Sequence, residues 1–102
     1  MISYQGSERE LYTEALRTVA AIVSARAHGR FNDVLALHQA YQQVARELGV
    51  APCNAWAIMS SAAVVSMVGL VEHIAELEGG TVHAVADRMV FAAVERVASG
   101  AL

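Results

Sequence analysis

The chain has 102 residues, 56% of them hydrophobic, and a formal net charge of −3. That length suits one domain able to bury a core without disulfides or metals, and an acidic balance excludes a strongly basic nucleic-acid binder. Much of the apolar content is Ala and Val, so each buried position removes little area from water, and a lone chain of this size is expected to leave apolar surface exposed.

All seven basic residues are Arg. With the Ala, Val and Gly bias, this points to a GC-rich genome, of an actinobacterium or one of its phages. The single Cys53 has no partner for an internal disulfide, so a reducing, cytoplasmic setting is expected. Residues 1–7 lack a basic start and an apolar run, and are expected to form a flexible N-terminal segment rather than a signal peptide.

Glycine and proline divide the chain into four helical segments, treated as one domain over 1–102. Ser7 and Glu10 are spaced as a capping box opening a first helix near 8–28, with Gly29 as its stop. Its apolar stripe is Leu11/Tyr12, Ala15/Leu16, Val19 and Ile22/Val23. Asn32 or Asp33 is expected to cap a second helix near 33–48, with Val34, Leu37, His38, Tyr41, Val44, Ala45 and Leu48 on one face and Gly49 at its end. Pro52 suits the first turn of a third helix running to Glu78, before Gly79 and Gly80. Thr81 caps a fourth near 82–98, with Val82, Val85, Met89, Phe91, Ala93, Val94 and Val97 as its apolar positions. No segment alternates with a strand's period. Short linkers favour antiparallel neighbours, so an all-α, four-helix up-down bundle with a central apolar third helix is predicted, assembled as a dimer.

The third helix carries the functional expectations. Its stretch from Ala55 to Val71 is uncharged and at the lower limit of membrane-spanning length, but Ser60, Ser61 and Ser66 interrupt it and no basic cluster brackets it. A buried helix is expected, not a membrane span. At 100° per residue, Trp56, Met59, Ala63, Met67, Leu70, Ile74 and Leu77 share one sector, the expected core face. A seam of small residues, Ala55, Ala62, Ser66 and Gly69, followed by His73, forms the expected interface with a second copy, because small side chains let backbones approach closely.

Glu72, Glu76 and Glu78 oppose the helix dipole at the C-terminal end, which calls for a counter-charge: a basic partner, or an Arg such as Arg88. His73 and Glu76 are one turn apart, but a di-iron bundle uses Glu-x-x-His twice over with further Glu, so no metal is expected. His38, on an apolar stripe, reads as a buried histidine bonded to a backbone carbonyl, Tyr41 or Tyr12. His28 sits where the helix dipole favours a cation. Cys53 lacks a positioned base, Ser60 and Ser61 lack a nucleophile elbow, and there is no glycine-rich phosphate loop. Neither an enzyme nor a cofactor is expected.

The run Val44-Ala45-Arg46-Glu47-Leu48-Gly49-Val50-Ala51-Pro52, followed by Ala55 and Ile58, resembles the core of a helix-turn-helix. The resemblance implies a DNA-binding regulator using residues 41–60. The helix in the recognition position, however, offers Cys53, Asn54, Trp56 and Met59, with no Arg or Lys before Arg88, and base or phosphate contacts need such donors. Nucleic acid is therefore not an expected partner. Secreted helical hairpins of the WXG type share this length but carry Trp-x-Gly in a turn, where this chain has Trp56-Ala57-Ile58 inside a helix. The leading expectation is a non-enzymatic protein–protein interaction module, a small adaptor, inhibitor, immunity or phage-type regulatory protein, whose partners are itself and another protein.

Overall fold

The computed structural model describes residues 6–100, all helices and their connections, with no strand among them. The helices are α1 (Ser7–Ala27), α2 (Phe31–Glu47), α3 (Pro52–Glu78) and α4 (Val82–Ala98). The flexible segment expected at 1–7 lies outside the described residues up to position 5. Gly6 is the N-cap of α1, and Ser7 is already helical.

The glycine stops form as read. Gly29, Gly49 and Gly79 take positive φ, between 69° and 73°, and Gly100, beyond the end of α4, takes 75°. At the first three, the residue after the glycine donates back to the carbonyl five residues earlier: Arg30 N–H to Ala25 O at 2.8 Å, Val50 N–H to Ala45 O at 2.9 Å, and Gly80 N–H to Ala75 O at 3.0 Å. This closure satisfies carbonyls that the helix end leaves without partners. Thr81 caps α4 as expected, its Oγ1 accepting from Ala84 N–H at 3.2 Å.

Two N-terminal readings are corrected. The Ser7–Glu10 capping box does not form, because Gly6 takes the cap position and the helix begins one residue early, at Ser7. Likewise α2 starts at Phe31 with Arg30 in the cap position, so neither Asn32 nor Asp33 caps it. The ring of Phe31 instead receives the Arg26 guanidinium, 4.8 Å from its centroid, at the α1–α2 corner.

Contacts divide the chain into two compact units, one ending at Ser66 and one beginning at Met67, with α3 passing continuously from one to the other. The first unit holds α1, α2 and the opening turns of α3. Its core is Leu11 and Ala15 from α1, Tyr41 and Ala45 from α2, Val50 from the turn, and Ala55, Ile58, Met59 and Ala62 from α3. Four of these nine are alanines, which brings the backbones close, and Tyr41 is the largest side chain in the core. Its ring is 2% exposed, and its hydroxyl donates to Ala55 O at 2.6 Å. The second unit is a helical hairpin of the remainder of α3 with α4. Its core is small: Val71, Ala75 and Val85, flanked by Ile74 and Ala86.

The stripes read for α1 and α2 hold in outline, with Leu11, Ala15, Tyr41 and Ala45 fully buried, although Val23 is exposed. The single core face read for α3 does not. Met59 is buried and Ile74 half-buried, but Trp56, Met67, Leu70 and Leu77 are exposed, Leu77 by 73%. The buried positions of α3 are Ala55, Ile58, Met59 and Ala62 in the first unit, then Val71 and Ala75 in the second. On α4, Val85 is buried while Phe91, Val94 and Val97 are exposed.

Replacing Tyr41 with Phe keeps the ring and removes the donor, while the Ala55 carbonyl retains its second acceptor capacity for its own helix. The expected loss is about 0.5–1.5 kcal/mol. Urea unfolding followed by circular dichroism checks this, and an unchanged midpoint would refute the role given to the hydroxyl.

Candidate functional site

Three regions bear on function, and the acidic end of α3 is the simplest. Glu78 finds its counter-charge within the hairpin: Arg88 Nη2 lies 2.8 Å from both carboxylate oxygens. His83 pairs with Asp87, at 3.2 Å, rather than with the α3 acids. Glu72, His73 and Glu76 are exposed, and none has an ion pair among the described residues. No group of three His, Cys, Asp or Glu stands close enough to hold a metal, again among the described residues.

The small-residue seam is divided between two environments. Ala55 and Ala62 have no exposed surface, being packed in the core of the first unit under Tyr41 and Leu11. They already face their own chain, which corrects the reading that placed them against a second copy. Small size serves close packing in both cases, so the pattern alone does not name the neighbour. Ser66 is half-buried, its hydroxyl returned to Ala62 O at 2.8 Å. Gly69 and His73 are exposed, and a Cβ added at Gly69 would meet nothing within 4 Å. Only this latter half of the seam is open.

The third region is a groove of about 410 Å³ between α2 and the first turns of α3, lined by Leu35, His38, Gln39, Gln42, Arg46 and Trp56. Its size falls within the usual range of small-molecule sites. Five of the lining residues follow the helical repeat along α2, at 35, 38, 39, 42 and 46, and the chain's one tryptophan forms the opposing wall. Trp56 is 51% exposed and meets the His38 ring with centroids 5.9 Å apart and planes tilted by 35°. His38 is thus half-buried against an indole and not a core histidine, because its place on the α2 stripe lies at the edge of the packed face.

Polar groups in the groove are incompletely matched. Gln42 Nε2 is buried and has no hydrogen-bond partner among the described residues. Leaving such a donor unpaired costs about 1–3 kcal/mol. Arg46 donates from Nε at 3.2 Å and Nη2 at 2.6 Å to Gln43 Oε1, a neutral acceptor. No carboxylate lies within ion-pair distance of Arg46 among the described residues. Sequence reasoning overlooked this groove. Its visible signal was the spacing of His38, Gln42 and Arg46, but an orphaned amide is a property of packing.

The helix-turn-helix resemblance falls on residues that hold the first unit together. Ala45, Val50, Ala55 and Ile58 are each 8% exposed or less. Cys53 is exposed, its thiol 3.8 Å from Asn54 Oδ1. Comparison with protein-family models, with curated proteins and with solved structures finds no match to this chain.

Arg88 and Glu78 are both substantially exposed, so their pairing is screened by water and salt. Arg88→Ala is expected to lower stability by no more than about 1 kcal/mol at low ionic strength, less with added salt. Thermal unfolding at two salt concentrations checks this; a larger, salt-independent loss would assign Arg88 a packing role instead.

Proposed function

We propose that the chain is a non-enzymatic protein–protein interaction module of the small adaptor, inhibitor, immunity or phage-type regulatory kind. It acts in the cytoplasm as a homodimer, with its four helices in up-down order. The short connections, which leave three or four residues between successive helices, support that order.

One observation carries the reading: apolar side chains stand exposed in helical register on the hairpin. Val90, Val94 and Val97 on α4 are 64%, 59% and 65% exposed and spaced by four and three residues. Met67, Leu70 and Leu77 on α3 are likewise more than half exposed, at spacings of three and seven. Both are coiled-coil spacings, and such seams are covered when helices associate. Because Ala55 and Ala62 are occupied by their own core, the proposed self-association surface is moved to these residues together with Gly69 and His73.

By length and composition α3 is a helix capable of crossing a membrane, with mean hydropathy 1.6 over its most apolar window and 22% of that window buried. Its packing in the first unit supports the proposal against a span. Ala55, Ile58, Met59 and Ala62 pack with α1 and α2, which carry Glu14, Arg17, Arg26, Asp33, Arg46 and Glu47. Hydrocarbon around α3 would have to accommodate those charges or strip the helices away.

Light scattering coupled to size exclusion tests the proposal: a dimer is expected at micromolar concentration, and a strict monomer overturns it. Val94→Glu and Leu70→Glu are expected to shift the equilibrium to monomer, since each sets a charge in an apolar contact. Gly69→Leu should weaken assembly if the open end of the seam is in the interface; unchanged assembly removes Gly69 from it.

A further inference from the structure

We infer that the groove between α2 and α3 is a binding site for an aromatic carboxylate, a flat ring carrying an anionic group one or two bonds away. This inference is independent of self-association, because every lining residue lies on α2 or in the first two turns of α3 and none belongs to the hairpin seams.

Each wall of the groove specifies part of the ligand. Trp56 and Leu35 are more than half exposed, and the His38 ring is set against the indole, so the apolar side is a ready platform for a planar group. The polar side holds two groups whose needs the protein leaves unmet. Gln42 lines the groove, but its Nε2 is a buried donor lacking an acceptor among the described residues; a turn of its terminal amide toward the groove opens it to an acceptor, which a ligand supplies in place of water. Arg46 is fixed by two bonds to a neutral amide oxygen and keeps further N–H donors and an uncompensated charge. A carboxylate offers acceptors to both, whereas a cation is opposed by the Arg46 charge even beside the indole face, and a neutral hydrocarbon ring brings no acceptor for either. The positions 38, 42 and 46 lie four residues apart, so ring platform, amide and guanidinium follow one another along a single face of α2.

The chain's one tryptophan makes the site its own reporter. Phenylacetate is titrated into the ¹⁵N-labelled full chain, following the Trp56 indole N–H and the Gln42 side-chain amide. Saturable shifts at both are expected, with 2-phenylethanol binding about tenfold more weakly and acetate producing no shift at the indole. Gln42→Met, which keeps the length and removes the orphaned donor, is expected to raise the melting temperature of the free protein and weaken phenylacetate about fivefold. Arg46→Gln provides a second variant, again with weaker binding and intact folding by circular dichroism. N-acetyl-Ala-Ala-Phe and its C-terminal amide distinguish the source: tighter binding of the free-acid peptide than of phenylacetate assigns a chain terminus, and the reverse assigns a small free acid. Either result supports the site. Absent or non-saturable shifts, equal binding of 2-phenylethanol, or unchanged affinity in both variants would overturn it.

Discussion

The buried hydroxyl of Tyr41 is the contact on which the arrangement of the first unit depends. An aromatic ring of that size, in a core that is nearly half alanine, fills the volume that the small side chains leave between α2 and α3. Its bond to Ala55 O, one turn into α3, then sets where along α3 the two helices meet. Ala55 and Ala62 must be small for that approach, and Ile58 and Met59 flank them as the larger packing groups. Trp56, next to Ala55 and so about 100° around the helix, is carried out of the core to the rim, where it becomes the wall of the groove. Core and groove are consequences of one register.

The ends of the helices were legible in the sequence because their chemistry is local. A glycine that must adopt positive φ, a proline whose missing N–H costs nothing in a first turn, and a threonine whose oxygen accepts from the residue three ahead act without reference to the fold. Gly29, Gly49, Pro52, Gly79 and Thr81 were therefore read correctly. The starts of α1 and α2 were not, since Ser7 and Asn32 were competent caps beside which backbone closure at Gly6 and Arg30 prevailed.

The faces of α3 were illegible for a different reason. Periodicity assigns a buried face by contrast between apolar and polar positions, and from Ala55 to Val71 no charge supplies that contrast. Any sector of such a helix passes for a core face. The buried positions are selected by what packs on them, which is Tyr41 and Leu11 in the first unit and Val85 in the second. The same ambiguity made the alanines of the seam look like an interface. The α2 stripe shows the converse in part: Gln42, Gln43 and Arg46 interrupt its apolar pattern, so Tyr41 and Ala45 stood out as core positions, while His38, read with them, lies at the rim.

Small buried residues and large exposed ones have opposite energetic consequences along α3. Alanine contributes little transfer free energy but permits close backbone contact, so the first unit gains cohesion from packing rather than from area. Leu70, Leu77, Met67 and the valines of α4 carry more transferable area per residue, and the second unit leaves most of it in water. A helical hairpin whose core is two valines and an alanine has little else to hold it, and units below about 40 residues usually need a staple or an associate. A single cysteine offers no internal disulfide, and no metal cluster stands among the described residues, so the proposed self-association would supply the cover that this area lacks. Under that proposal the hairpin is the part of the chain whose stability depends most on protein concentration, and the first unit, closed around Tyr41, the part whose stability depends on it least.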